Sequence, residues 1–248
     1  MIKVRYILLL VAAFNLFARC EESFEKVYPA DATRFAEDFI LAIKTEQPYD
    51  AYRDTLARID LEKLKTDLVS SEQKLAFWIN TYNSMVQAKI RDDVKQFEDR
   101  DKFFKSEDQT LGGVKLSLDQ IENGILRRQE MSSNKQFIKN FQVDKIDPRI
   151  HFTLNCGATS CPPVAYYSVD RLDSDLASAE ESFVTQTCKY DETTNTLEVS
   201  ELFKWFEEDF GGKKGVLAVM HRLSILPIDA DPTITYSTYN WNLDIDNF

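Results

Sequence analysis

The chain has 248 residues, 44% apolar and 12% aromatic, enough to bury one sizeable core. Its 41 acidic residues outnumber 30 basic ones, for a net charge of −11. That field repels polyanions and no Lys/Arg cluster with interleaved aromatics offsets it, so a nucleic-acid partner is excluded.

The first nineteen residues have the pattern of an export signal. Lys3 and Arg5 open it, and an apolar run from Tyr6 to Phe17, broken only by Asn15, follows. A membrane span needs about 20 apolar residues, so this run fits the core of a signal peptide better. It ends at Phe17-Ala18-Arg19-Cys20 before Glu21 and Glu22, which is similar to a bacterial lipoprotein box, although Arg19 stands where a small residue is usual. The expected product is an extracytoplasmic, cell-envelope protein tethered to the membrane by lipid on Cys20. Residues 20–30 would form the tether and 31–248 a single domain, since no repeat, low-complexity tract or Pro/Gly/Ser linker divides them. Removing residues 1–19 takes away Lys3, Arg5 and Arg19 and no acid, which makes the remainder more acidic still.

Asp31 can cap a helix that places Phe35, Phe39, Ile40 and Ile43 on one face and stops by Gln47-Pro48. Two short helical pieces are expected up to Asp67. Ser70 and Gln73 then form a capping box for the strongest helix, in which Leu75, Trp78, Ile79, Tyr82, Met85, Val86 and Ile90 recur at core spacing. Asn80, Asn83 and Ser84 lie off that stripe, where they either face a cleft or are solvated. Residues 92–110 are charged and aperiodic, and read as surface structure framing a groove. Gly112-Gly113 turns the chain, and Ser117 with Gln120 opens a further helix through Glu122 to Arg128. A first-turn Glu ordinarily serves the helix dipole, which is the bland reading of Glu122.

Ile150, Phe152 and Leu154 alternate with Arg149, His151, Thr153 and Asn155, the pattern of a strand with one polar face. The strand runs into Cys156-Gly157-Ala158-Thr159-Ser160-Cys161-Pro162-Pro163. A histidine beside a cysteine can form a thiolate–imidazolium pair, and Gly157 would allow close substrate approach with backbone N–H groups as an oxyanion hole. Residues five apart on a straight strand face opposite ways, so this pairing requires a bend after Asn155.

Apart from Cys20, the cysteines are Cys156, Cys161 and Cys188, an odd number that leaves at least one thiol unpaired within the chain. Three other readings of the loop stay open: a Cys156–Cys161 or Cys161–Cys188 disulfide, a purely structural loop, or zinc on His151, Cys156 and Cys161. The zinc reading lacks a fourth ligand and the usual spacing, and neither metal nor cofactor is expected.

Ala76 to Asn83 (AFWINTYN), Ser117 to Arg127 (SLDQIENGILR), Asp147 to Phe152 (DPRIHF) running into Asn155-Cys156-Gly157, Leu202 to Phe210 and Tyr239 to Leu243 occur in the order of a known pattern. In these pieces the chain resembles the domain-of-unknown-function family 547, which usually has Asp where Asn240 stands here. The resemblance implies an α+β, helix-rich domain with a small antiparallel sheet, related to papain-like or transglutaminase-like thiol folds in permuted order. It also implies a constellation of Glu122, His151 and Cys156.

The expected activity is that of a thiol hydrolase or acyltransferase on amide or ester bonds. Cys156 would be the nucleophile, His151 the acid and base, and Glu122 its orienter, with Asn80, Asn155 and Ser160 lining the substrate site. The alternative is a non-catalytic envelope module that binds peptide or glycan beside a disulfide-stapled loop.

Overall fold

A computed structural model describes residues 25–248. The signal segment and Cys20 lie outside the described residues. From Val27 the expected tether is already packed on the domain: Val27 donates its N–H to the Arg58 carbonyl and pairs with Ile59.

The architecture is α+β and mostly helical. Asp31 caps the Ala32–Lys44 helix by accepting the Arg34 N–H, and Asp60 caps Leu61–Asp67 in the same way. Helix Ser71–Asp92 forms the centre of the domain. Ser70 and Gln73 close its reciprocal capping box, and every residue from Leu75 to Ile90 is buried. Three of its buried polar side chains, Asn80, Asn83 and Gln87, find partners in the functional loop and determine where it sits.

β1 (Gln109–Leu111) and β2 (Val114–Leu116) form an antiparallel hairpin turned by Gly112 and Gly113, both at positive φ. β3 (Lys189–Asp191) pairs antiparallel with β4 (Thr196–Ser200), and β4 pairs in parallel with β5 (Thr233–Ser237). Parallel neighbours require a crossover, here residues 201–232 with helices Leu202–Trp205 and Gly212–Arg222. That crossover carries Phe206 and Asp209 to the site.

Two local expectations are corrected. Residues 149–155 are not a strand: Asp147 caps a 3-10 turn over Pro148–Phe152 by accepting the Arg149 N–H. The helix opened by Ser117 and Gln120 has its reciprocal bonds, but it widens into π-type turns over Gln120–Leu126, with the Arg127 N–H reaching the Glu122 carbonyl.

Candidate functional site

The segment from Thr153 to Tyr167 is threaded along the polar side of the central helix. Asn80 grips Tyr167 through both main-chain groups, donating to its carbonyl at 2.8 Å and accepting its N–H at 2.9 Å. One turn on, Asn83 accepts the Asn155 N–H and donates to the Thr153 carbonyl, each at 2.9 Å. A further turn on, Gln87 donates to Asn155 Oδ1, which also takes the Gly157 N–H at 2.8 Å, while Asn155 Nδ2 donates to the Pro162 carbonyl. Asn80, Asn83, Ser84 and Asn155 are therefore neither solvated nor in a cleft; each is 0% exposed. Asn80 and Asn155 hold main chain in place and do not line the pocket described below. Each such bond contributes about 1 kcal/mol net, and leaving its buried partner unpaired costs more.

From the other side the C-terminal segment clamps the loop. Thr159 and Ser160 donate their N–H groups to the carbonyls of Asn242 and Asn240, and Asp244 donates to Gly157 O. Ser160 Oγ accepts the Asn240 N–H, which turns Ser160 toward a neighbouring hollow and away from the other nominated residues. Gly157 is required where it stands. Its φ is +86°, and a Cβ there would come within 2.5 Å of Ile90 Cδ1.

The loop closes on a Cys156–Cys161 disulfide, which leaves Cys188 as a free, buried thiol among the described residues. Tyr239 Oη lies 3.3 Å from Cys156 Sγ and 3.0 Å from Cys161 Sγ. The sulfurs carry no hydrogen, so the tyrosine donates. The Cys156 N–H also donates to Cys161 Sγ, at 2.9 Å.

Glu122, His151 and Cys156 share the wall of one pocket of about 440 Å³, together with Arg127, Tyr239, Trp205, Phe206 and Trp241. A hollow of about 790 Å³ between residues 30–37 and 166–171 contains none of the nominated residues. Within the shared pocket the expected wiring is absent. Cys156 Sγ faces Cys161 and Tyr239, and Glu122 accepts from Tyr82 Oη at 2.8 Å. His151 Nε2 bonds Asp209 Oδ2 at 2.8 Å, and Arg127 Nε donates to the same oxygen at 2.6 Å. The helical turn at 148–152 removes the parity objection of the strand reading, yet the histidine still goes to Asp209.

The His151 ring lies flat on Phe206, centroids 3.8 Å apart, and the Arg127 guanidinium sits 4.5 Å from the same Phe206 ring. Burial pushes the imidazole below its ordinary value, against the opposing pull of Asp209. Burial would raise Asp209, but the hydrogen bonds from His151 and Arg127 and the guanidinium charge outweigh it and hold that carboxyl at about 2. At neutral pH a neutral imidazole therefore donates Nε2–H to a carboxylate, leaving Nδ1 as a basic nitrogen. Glu122 shifts the other way: burial raises its carboxyl, only partly offset by Tyr82 and Arg127. His151 and Glu122 are thus both displaced from their usual ranges by burial in one pocket.

The mouth is aromatic. Trp205 and Trp241 stack at 5.7 Å, Tyr239 lies within 5 Å of both, and Arg100 covers the Trp241 ring. Trp205 is 40% exposed. The expectation that residues 92–110 frame a groove is met by Arg100, Phe104 and Lys105 on this wall. Asp209 and Tyr239 were not nominated from the sequence, although both lie in the family-like pieces at 202–210 and 239–243. The signal available was their place in those pieces.

No curated protein and no solved structure matches the chain. Residues 66–184, which include the central helix, Glu122, His151 and both disulfide cysteines, match a family model described as a protein of unknown function, DUF547. Over this stretch the chain is similar to the DUF547 family.

Proposed function

We propose that the protein is an extracytoplasmic lipoprotein, anchored through Cys20, whose aromatic pocket binds a peptide or glycan of the cell envelope. The observation that carries the binding reading is the Cys156–Cys161 bond: it ties up the one thiol in the pocket suited to attack a substrate and stiffens the wall beside Trp205, Tyr239 and Trp241. Exposed aromatic rings beside a few fixed polar groups suit sugar faces and peptide side chains. The test is calorimetric titration of the soluble domain with peptidoglycan fragments and with short peptides. Saturable binding lost in Trp205→Ala supports the reading; no binding to either class contradicts it. Lipid labelling that persists in Cys20→Ala would contradict the anchor.

The His151–Asp209 pair favours a second reading, a thiol hydrolase or acyltransferase on amide or ester bonds in the dithiol form of the loop. Cys156 would attack, His151 Nδ1 would take and return the proton, and Asp209, in the place expected of Glu122, would hold the ring. Hydrolysis of activated esters by the reduced protein, abolished in Cys156→Ala, supports it. Equal rates in that variant exclude it.

A further inference from the structure

The Cys156–Cys161 disulfide differs from a buried staple in two ways. Both residues line the open pocket, and they are unequal: Cys156 is partly exposed, whereas Cys161 is 5% exposed. Hydrogen bonding reinforces the asymmetry. Cys161 Sγ receives two donors, the Cys156 N–H at 2.9 Å and Tyr239 Oη–H at 3.0 Å, whereas Cys156 Sγ has only the more distant share of the single tyrosine proton, at 3.3 Å. Donors on a sulfur stabilise it as a thiolate and make it the better leaving group.

We infer that this disulfide is a thiol–disulfide exchange centre that oxidises a dithiol, with Cys156 as the attacked sulfur and Cys161 as the leaving one. A substrate thiolate enters the pocket and bonds to Cys156 Sγ. The Cys156–Cys161 bond breaks and its electron pair passes to Cys161 Sγ, where the main-chain N–H and the tyrosine hydroxyl receive it. The second thiol of the substrate, as thiolate, then attacks the substrate sulfur of the mixed disulfide and expels Cys156. Two electrons have moved from the dithiol, now a disulfide, to the protein, now a dithiol. The two protons released by the substrate thiols end on Cys156 and Cys161, or in solvent when Cys161 stays ionised. Cys188 does not line this pocket and takes no part.

The inference goes beyond the binding reading. It is tested without peptide or glycan, so either can fail alone. The oxidised full domain is mixed with dithiothreitol as the probe dithiol, and thiol appearance is followed while circular dichroism reports the fold. Reduction should proceed in the folded protein, and Tyr239→Phe, which keeps the ring and removes the donor, should slow it about threefold, the effect of about one pKa unit on the leaving thiol at a Brønsted slope of about 0.5. Cys188→Ser should leave the rate unchanged. A short pulse of glutathione followed by acid quench should place the adduct on Cys156. Reduction only at the rate of global unfolding, an unchanged rate in a folded Tyr239→Phe, or an adduct on Cys161 would each overturn the inference.

Discussion

A single carboxylate oxygen, Asp209 Oδ2, takes both the Nε2–H of His151 at 2.8 Å and the Nε–H of Arg127 at 2.6 Å. The Asp209 and Arg127 side chains are only 8% and 11% exposed, so water screens the pair weakly. Asp209→Asn would leave the guanidinium without its counter-charge in the pocket wall. The expected cost is roughly 3 kcal/mol, the usual price of removing one partner of a buried pair, read as a lower urea midpoint at unchanged slope.

The same pair sets an acid limit on stability. The folded-state value of His151 lies below its ordinary 6.5, so on acidification the unfolded chain takes up the proton first and stability falls as pH drops through 6.5. Asp209 is depressed from 3.8 to about 2, so its contribution is complete above 3.8 and is lost as pH falls through that window. Urea unfolding at successive pH values should show both declines, and His151→Gln should flatten the first and reduce the second, because His151 supplies one of the bonds that depress Asp209.

Glu122 should behave in the opposite sense. Its carboxyl is raised in the folded state, so ionisation is unfavourable there and stability is lost as pH rises through the folded-state value. Glu122→Gln keeps an acceptor for Tyr82 and removes the charge. It is expected to raise the melting temperature near pH 8 more than near pH 4, as scanning calorimetry of the two proteins would show.

Gly157→Ala combines a strained backbone at φ +86° with a Cβ 2.5 Å from Ile90 Cδ1, on the loop that carries both cysteines. The expected loss is about 1–3 kcal/mol, measured by chemical denaturation. Ala at Gly113, also at positive φ but with open space around its Cβ, should cost less.

Much of the frame could be read locally. The caps at Asp31 and Ser70 and the Gly112-Gly113 turn depend on neighbours within four residues, and each forms as its chemistry predicts. The 148–152 turn was legible too, since Asp147-Pro148 is a helix-start signal, but the alternation of Ile150, Phe152 and Leu154 imitated a strand more strongly. Buried Asn80 and Asn83 looked like surface residues because their partners lie 87 and 70 residues away. The family resemblance gathered Glu122, His151 and Cys156 into one pocket, but their pairing was not legible. Asp209, 58 residues beyond His151, is brought to it by the crossover between β4 and β5, and Tyr239 reaches the sulfurs from the far end of the fold.

The most direct measurement of the binding account is peptide mapping of the protein isolated without reductant and alkylated before digestion. The account predicts a Cys156–Cys161 cross-linked peptide, with alkylation of Cys188 only after unfolding. An alkylated Cys156 in the folded protein would contradict it and return the thiol to the centre of the site.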